Sequence, residues 1–305
     1  MKIKIGTRAS RLALWQTEFV ERELKKKFPN LEIELIKIQT KGDKILDAPL
    51  AKIGGKGLFT KELELQMSEG KIDLAVHSLK DVPSDLPKGF SIAAITKREK
   101  PFDAFVSEKF SSLEDLPKNS LVGTSSLRRA AQILSIRPDL QIKNLRGNIE
   151  TRLKKLDAGE FDAIVLAEAG LTRLGLSSRI RQTLKEIIPA AGQGALAIEI
   201  REGDKDVEKL VKILNDKETC SAINFEREFL RTVEGSCQIP VGVFAETIGE
   251  KIKARAIISS LDGRRVVRDF LEESTENLSG LGKNFAISLL NRGGREILRE
   301  LGIIL

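Results

Sequence analysis

The sequence predicts an α/β protein in which two similar α/β domains flank a cleft and a small α+β domain follows them. Two patterns occur in the same order in both halves of the chain. Residues 5–10 (I-G-T-R-A-S) and 122–127 (V-G-T-S-S-L) each predict a strand end followed by a capped helix. Residues 70–76 (G-K-I-D-L-A-V) and 159–165 (G-E-F-D-A-I-V) each predict a turn before a buried strand. Helix N-termini would then face the cleft from both sides, where free backbone N–H groups bind anions.

The first half of the chain is predicted to alternate strands and helices. Apolar runs predict the strands, and Leu12, Trp15 and Phe19 recur at helical spacing. The predicted strands cover residues 3–5, 31–38, 72–76 and 91–95, and the predicted helices cover residues 11–28 and 60–69. The glycine- and lysine-rich stretch 40–61 predicts a mobile cationic loop or, alternatively, a surface turn with solvated lysines.

The second half repeats this organisation before the pattern changes. A charged stretch ending in proline, residues 97–101, predicts a crossing between domains, and the glycine-rich turn and strand at 188–200 predict a return to the first domain. In the last part, helices are predicted at 204–215, 219–233 and 277–290, and strands at 241–246, 253–259 and 266–271. The predicted domains are residues 1–96 with 195–214, residues 97–194, and residues 215–305.

Composition excludes several classes of function. The chain has 305 residues and a net charge of +7, from 51 basic and 44 acidic residues, which suits a small polyanionic ligand without requiring a nucleic acid. Two cysteines and one histidine disfavour a disulfide framework, a histidine-based zinc site and a Ser-His-Asp triad. We expect a cytoplasmic protein, because the N-terminus has no apolar leader and no stretch approaches the ~20 apolar residues of a membrane span.

The stretch from residue 71 to residue 86 is the first candidate site. An apolar strand changes abruptly to His77, Ser78, Lys80 and Asp81, and Pro83 ends regular structure. Ligands of α/β proteins bind outside the carboxyl ends of strands, so these polar side chains predict a site. The alternative is an ordinary polar turn that Asp81 closes.

The placement of several arginines is the second indication of a functional site. Arg8 follows the first Gly-Thr pair, and Arg128 and Arg129 follow the second at a predicted helix start. Cations at a helix N-terminus oppose the helix dipole and call for an anion, and arginine suits bidentate binding of carboxylates. Chance placement among so many basic residues is the alternative.

Cys237 is the third indication of a functional site. It lies in the polar turn E-G-S-C-Q-I-P, residues 234–240, where a thiol is exposed and suited to covalent attachment of a group. Cys220 lies on a predicted amphipathic helix and is interpreted as a structural cysteine.

Together these motifs resemble the porphobilinogen deaminase family of tetrapyrrole biosynthesis over essentially the whole chain. The matching stretches are residues 7–16 (T-R-A-S-R-L-A-L-W-Q), 40–43 (T-K-G-D), 54–59 (G-G-K-G-L-F), 75–83 (A-V-H-S-L-K-D-V-P), 123–129 (G-T-S-S-L-R-R), 145–153 (L-R-G-N-I-E-T-R-L), 192–195 (G-Q-G-A) and 234–240 (E-G-S-C-Q-I-P). The resemblance implies two domains like the halves of a periplasmic binding protein, and a third domain whose cysteine holds a dipyrromethane cofactor through a thioether. It also implies a monomer that acts on porphobilinogen, and it implies no metal. A nucleic-acid partner would call for aromatic residues among the arginines, and the aromatic residues, 5% of the chain, do not interleave with them.

The resemblance assigns roles to matching residues. Cys237 would bear the dipyrromethane, and Asp81 would be the catalytic carboxylate that stabilises the cationic azafulvene formed when the substrate loses ammonia. The implied cations for cofactor and substrate carboxylates are Arg8, Arg128, Arg129, Arg146, Arg152, Arg173 and Lys80, with Lys52 and Lys56 on a lid loop. The implied neutral donors are Ser10, Gln16, Ser78, Thr124, Ser125 and Ser126.

Two positions depart from the family pattern, and one other function stays open. Arg11 stands where the family usually has proline, and Ser236 replaces a glycine, so we expect the entry to the first helix and the shape of the cysteine turn to differ from the family pattern. A non-catalytic two-domain anion-binding protein is the alternative function, but it gives no reason for Asp81 beside Lys80.

Overall fold

The computed structural model describes residues 2–44, 57–233 and 239–303, whose strands form three sheets. Up to residue 95, strands and helices alternate as predicted. The elements are β1 (Lys2–Arg8), α1 (Arg11–Lys27), β2 (Glu32–Ile38), α2 (Lys41–Lys44), α3 (Lys61–Ser68), β3 (Leu74–Ser78) and β4 (Phe90–Ile95). The Ser10 hydroxyl accepts the N–H of Ala13 (3.3 Å) and caps α1, so Arg11 in place of proline leaves a capped helix start. The short helix α2 corrects the prediction that this stretch is irregular.

The middle of the chain contains more strands than the sequence predicts. Its elements are β5 (Asp103–Val106), β6 (Leu121–Gly123), α4 (Leu127–Ile136), β7 (Gln141–Lys143), α5 (Ile149–Asp157), β8 (Ala163–Ala167), α6 (Glu168–Arg173) and β9 (Gln182–Leu184). The strands β5, β7 and β9 were not predicted, because three or four residues are too few to show periodicity.

The remainder of the chain returns to the first sheet and then builds the third. Its elements are β10 (Leu196–Arg201), α7 (Lys205–Val211), α8 (Lys217–Thr232), β11 (Val241–Ile248), β12 (Lys251–Ser259), β13 (Val266–Ser274), α9 (Leu281–Leu289) and α10 (Arg295–Glu300). None of the helices in the described parts of the chain is long and apolar enough to cross a membrane.

The first two sheets have the same topology, which confirms the predicted pair of α/β domains. Their strand orders are β2-β1-β3-β10-β4 and β7-β6-β8-β5-β9. In each sheet the first three strands are parallel, and the fourth is antiparallel to both of its neighbours. The antiparallel strand β10 begins where β3 ends, with Leu196 opposite Ser78, so the segment before β10 lies beside the polar end of β3.

The third sheet is a small antiparallel meander, β11-β12-β13, as predicted for an α+β domain. Apolar residues of one face, among them Val243 and Ala256, pack against Phe225, Phe229 and Phe285 of α8 and α9. The boundaries proposed for the three domains stay a prediction. The first sheet draws its strands from residues 2–95 and 196–201, the second from 103–184, and the third from 241–274.

A buried carboxylate joins the three sheets. Glu226 of α8 accepts two N–H groups of Arg98, at 2.7 and 2.8 Å, and its side chain is fully buried. It also accepts the backbone N–H groups of Gly192 (2.7 Å) and Ala245 (2.8 Å). Arg98 lies on the crossing that leaves the first sheet, and Gly192 lies on the crossing that returns. Both crossings are therefore tied to the third domain at one point.

The returning crossing also depends on glycine at position 194. Gly194 has φ +94°, and a Cβ there would lie 2.4 Å from the carbonyl oxygen of Glu99. The two crossings therefore approach too closely for any side chain at this position.

We expect Glu226→Gln to destabilise the protein by about 3–5 kcal/mol, because Arg98 would keep its charge in a buried site without a counter-ion. Chemical denaturation of the variant and the wild type measures the difference. Glu272→Gln is the control, since Glu272 pairs with Lys251 on the exposed side of the third sheet (2.7 Å). Equal denaturation midpoints for the two variants would contradict the structural role given to Glu226.

Candidate active site

Asp81 ends a short turn at the carboxyl end of β3. Residues Leu79–Asp81 form one turn of 3-10 helix, in which Leu79 is buried and Asp81 is exposed. The N–H of Leu79 donates to the carbonyl of Ala195 (3.0 Å), and that of Val82 donates back to Leu79 (3.1 Å). The backbone on both sides of Asp81 is therefore anchored while its carboxylate remains accessible.

The strand β3 sends neighbouring side chains in opposite directions. Ser78 accepts the side-chain N–H of Gln16 of α1 at 2.8 Å, which brings together two predicted site residues. His77 is buried, and its Nε2 lies 2.8 Å from Glu199 of β10. The single histidine is thus part of the interior of the first domain and not of the Asp81 turn.

Lys80 connects the Asp81 turn to the second sheet through Gln193. The Lys80 ammonium donates to Gln193 Oε1 at 3.2 Å. Gln193 Nε2 in turn donates to the carbonyl of Pro101 (2.7 Å) and to Asp103 Oδ1 (2.9 Å). Gln193 is buried and lies in the returning crossing, so one side chain spans the junction between the two α/β domains.

Asp103 holds both arginines of the second Gly-Thr motif. Its Oδ1 accepts Arg129 Nη2 (2.7 Å) and Nε (3.0 Å), and its Oδ2 lies 2.8 Å from Arg128 Nη1. Burial alone would raise the pKa of Asp103, but the charges of Arg128 and Arg129 outweigh burial and hold that pKa far below its ordinary value. Two guanidinium groups on one carboxylate leave a buried excess of positive charge.

Sequence reasoning missed both Asp103 and Gln193 as site residues. Arg128 and Arg129 also donate to the carbonyls of Ile188 (2.7 Å) and Val165 (3.0 Å). Several N–H groups of these two guanidinium groups are therefore already hydrogen-bonded within the protein. Asp103 begins an apolar strand of four residues, and an isolated carboxylate before such a strand would have been the signal for it.

Two further cations, Lys80 and Arg152, have a lowered pKa because they are buried near other positive charges. Burial and the charge of Arg129 lower the pKa of Lys80 to about 8, although Asp81 and Asp103 act in the opposite direction. Burial lowers the pKa of Arg152 to about 10, aided by Arg129 and opposed by Asp81. Lys80 lies on the first domain and Arg152 on the second, so both sides of the cleft carry cations close to Asp81.

Arg173 and Arg8 lie against aromatic rings of the first domain. Arg173 Nη2 donates to the carbonyl of Gly194 (2.6 Å), and its guanidinium lies 5.7 Å from the ring centre of Trp15. Burial lowers the pKa of Arg173 to about 10. The guanidinium of Arg8 lies 4.2 Å from the ring centre of Phe59, the last residue of the predicted lid loop at 54–59. These cations border the cleft from the junction and from the first domain.

The predicted hydroxyl donors of the second domain have structural partners. Ser126 accepts the N–H of Arg129 (3.4 Å) as the cap of α4, and Thr124 Oγ1 accepts the N–H of Ser126 (3.2 Å). Ser125 donates to the carbonyl of Leu145 at 2.8 Å. Their contact with a ligand stays a prediction, as does that of Ser10 and Arg146.

Three predicted site residues lie outside the described residues: Cys237, Lys52 and Lys56. The described chain ends at Val233, directly after α8, and resumes at Ile239, before β11. Cys220 is half-buried, and burial raises the pKa of its thiol, which agrees with its interpretation as a structural cysteine.

The charge balance fits the dipyrromethane that the sequence implies. A dipyrromethane built from two substrate molecules carries several carboxylates. The charge of Arg129 lowers the pKa of both Lys80 and Arg152, and the carboxylates that act on these two cations, Asp81 and Asp103, are fewer than the cations around them. Desolvated cations in excess are stabilised by anions, so this part of the cleft suits a polyanionic ligand.

Two family models match the chain. The model described as "Porphobilinogen deaminase, dipyromethane cofactor binding domain" matches residues 3–209. The model described as "Porphobilinogen deaminase, C-terminal domain" matches residues 220–291. Together they span all three sheets.

Comparison with solved structures shows weaker similarity. A methionine-binding protein, MetQ, is 18% identical with a TM-score of 0.47, and the match covers 74% of this chain and 94% of that one. A nutrient-binding protein from Burkholderia cenocepacia bound to methionine is also 18% identical, with a TM-score of 0.44 and coverage of 76% and 96%.

A curated relative is much more similar. The porphobilinogen deaminase of Campylobacter lari is 50% identical over 304 residues, which are 98% of this chain and 98% of the relative. With the two family models, this similarity confirms the resemblance that the motifs indicated. The chain therefore belongs to the porphobilinogen deaminase family.

Proposed function

We propose that this protein is a transferase that makes hydroxymethylbilane in tetrapyrrole biosynthesis. It deaminates four porphobilinogen molecules, condenses them head to tail on a covalently bound dipyrromethane and hydrolyses the product free. Family membership supports this activity. The observation that carries it is an accessible carboxylate, Asp81, placed among desolvated cations that exceed the local carboxylates.

Asp81 is proposed to stabilise the positive charge that develops on the substrate. When the C–N bond of the protonated aminomethyl group of porphobilinogen breaks, the nitrogen keeps the electron pair and leaves as ammonia. The pyrrole and its methylene carbon then share a positive charge. A preorganised carboxylate beside that carbon lowers the energy of the transition state, and it can accept the pyrrole N–H. A protein that only bound anions would gain nothing from a carboxylate here.

The surrounding cations are proposed to bind carboxylates of the cofactor and of the growing chain. The residues with this role are Lys80, Arg8, Arg128, Arg129, Arg146, Arg152 and Arg173. This role is best supported for Lys80 and Arg152, because burial and neighbouring positive charges lower the pKa of both. An incoming carboxylate would relieve the repulsion and strengthen its own binding in this partly desolvated cleft.

Cys237 is proposed to hold the dipyrromethane through a thioether, which makes that group a fixed part of the site. When bound, the dipyrromethane supplies the pyrrole carbon to which the first substrate unit is joined. A monomeric state, a cytoplasmic location and the absence of a nucleic-acid partner complete the proposal, and they rest on the family resemblance and on composition.

Intact mass spectrometry tests the attachment. We expect the purified protein to exceed its sequence mass by two linked pyrrole units, and Cys237→Ser to lack the addition. If the wild type shows no added mass, it is incubated with porphobilinogen and its mass is measured again. Added mass that persisted in Cys237→Ser would instead assign the attachment to Cys220.

Asp81→Ala should lower kcat by about 10²–10³-fold, as loss of a preorganised charge-stabilising group does in other enzymes. Because Asp81 is exposed, the variant should fold and retain the cofactor mass. Asp262→Ala, which removes an exposed carboxylate of the β12–β13 turn, is the control and should keep wild-type turnover. Normal turnover by Asp81→Ala would remove the catalytic role from this residue.

The pKa of Lys80 predicts a pH dependence. Lys80 is charged below a pH of about 8 and neutral above it. Its attraction for substrate carboxylates is therefore present at low pH and is lost as the pH rises through 8. We expect kcat/KM to fall above this pH in the wild type, and Lys80→Arg to keep kcat/KM level to higher pH, because arginine stays protonated. Identical profiles for the two proteins would contradict this assignment.

A further inference from the structure

The segment that follows Asp81 has no regular secondary structure. Residues 82–89 connect the Asp81 turn to β4. Such a segment takes its position from the elements that pack against it. Its position matters for the proposed function, because it continues directly from the carboxylate assigned to catalysis.

One face of α8 lies under this segment. Ile223 is fully buried against Leu79 and Val82, and Cys220 and Leu86 border the same cluster. The opposite side of α8 contributes Phe225 and Phe229 to the core of the third domain. The helix therefore contacts the Asp81 turn of the first domain while it belongs to the core of the third.

Two arginines of α8 bind the backbone of the segment. Arg227 Nη2 donates to the carbonyls of Pro83 (2.7 Å) and Ser84 (2.8 Å). Arg231 donates to Ser84 through Nη2 (3.0 Å) and Nε (3.2 Å), and its Nε lies 3.2 Å from Asp85 Oδ1. Consecutive carbonyls just beyond Asp81 are thus held by guanidinium groups of another domain.

The stability of α8 favours Arg231, which lies in the last turn of the helix, but it does not favour Arg227 beside it. Arg227 and Arg231 are four residues apart on one helix face, a spacing at which like charges destabilise a helix. Burial, followed by the charge of Arg231, lowers the pKa of Arg227 to about 10. The bonds to the segment are what offset the cost of holding these two charges together.

The same helix leads to the proposed attachment site. It ends at Thr232, and Cys237 follows five residues later in the sequence, outside the described residues. The contacts of Arg227 and Arg231 therefore hold the last part of α8, the part nearest to Cys237 in the sequence, against the segment that follows Asp81.

We infer that Arg227 and Arg231 are positioning residues, which hold the Asp81 turn in place relative to α8 and the third domain. This inference rests on the proposed function, because it gives Asp81 and Cys237 the roles argued above. It predicts that loss of these contacts slows turnover more than loss of an unrelated contact between domains does.

The chain offers a matched control for that distinction. Arg255 also belongs to the third domain, and its Nη1 donates to the carbonyl of Lys185 in the second domain (3.0 Å). Its guanidinium lies 5.5 Å from the ring centres of Phe102 and Phe244, and burial lowers its pKa. Arg255→Gln removes a comparable contact between domains at a different place.

The experiment compares Arg227→Gln, Arg231→Gln and Arg255→Gln with the wild type. Intact mass gives cofactor content, thermal unfolding gives stability, and porphobilinogen turnover gives kcat and KM. Hydrogen exchange of a peptide covering residues 79–86 reports how firmly the backbone of the segment is held. We expect all three variants to carry the cofactor.

Arg227→Gln should lower kcat about tenfold with KM changed less than about twofold, since a small displacement of a catalytic group affects the transition state most. Arg231→Gln should show a smaller loss of the same kind, because Arg231 is half-exposed. Both should accelerate exchange in residues 79–86, whereas Arg255→Gln should change neither kcat nor this exchange.

Two results would overturn the inference. One is wild-type kcat in cofactor-bearing Arg227→Gln and Arg231→Gln; the other is an equal loss of kcat in Arg255→Gln. If Arg227→Gln does not fold, Arg231→Gln decides, since its side chain is half-exposed. A wild type that carries the cofactor but leaves porphobilinogen unchanged would instead contradict the proposed function.

Discussion

The carboxylate of Glu226 is the contact on which the arrangement of the three domains depends. It accepts four N–H groups, from Arg98, Gly192 and Ala245, so each part of the chain that meets at the junction donates to it. A buried carboxylate is costly unless it is fully hydrogen-bonded and paired, and here both conditions are met. Because the crossings between the two sheets meet at this point, the cleft and the turn that bears Asp81 take their positions from it.

Electrostatic repulsion within the cleft is the second organising feature. Lys80 reaches Gln193, Gln193 reaches Asp103, and Asp103 holds Arg128 and Arg129. This chain of contacts gathers cations from both α/β domains within a partly desolvated space. Their mutual repulsion lowers the pKa of Lys80 and has a direct consequence for binding, since a ligand with several carboxylates relieves it. A site that polymerises an anionic substrate needs this property at each addition.

The sequence predicted the fold well where the signals were local. Gly-Thr pairs, capping serines and apolar runs placed β1, α1, β6 and α4 within a few residues of their observed positions. It missed β5, β7 and β9, whose few residues show no period. It also presented Arg128 and Arg129 as ligands for an external anion. Their pairing with Asp103 could not be predicted, because Asp103 and Arg128 are far apart in the sequence and meet only through the order of strands in the second sheet.

What the sequence determined by itself was the family, the internal duplication and the types of residue that carry the chemistry, because local motifs and their order along the chain suffice for these. The tertiary structure alone decided which charges meet. Gln193 joins the two α/β domains, Glu226 ties both crossings to the third domain, and Arg227 binds the segment that follows Asp81. Their roles follow from the packing of β10 and α8 beside the end of β3, and long-range contacts of this kind leave no periodic pattern in a sequence.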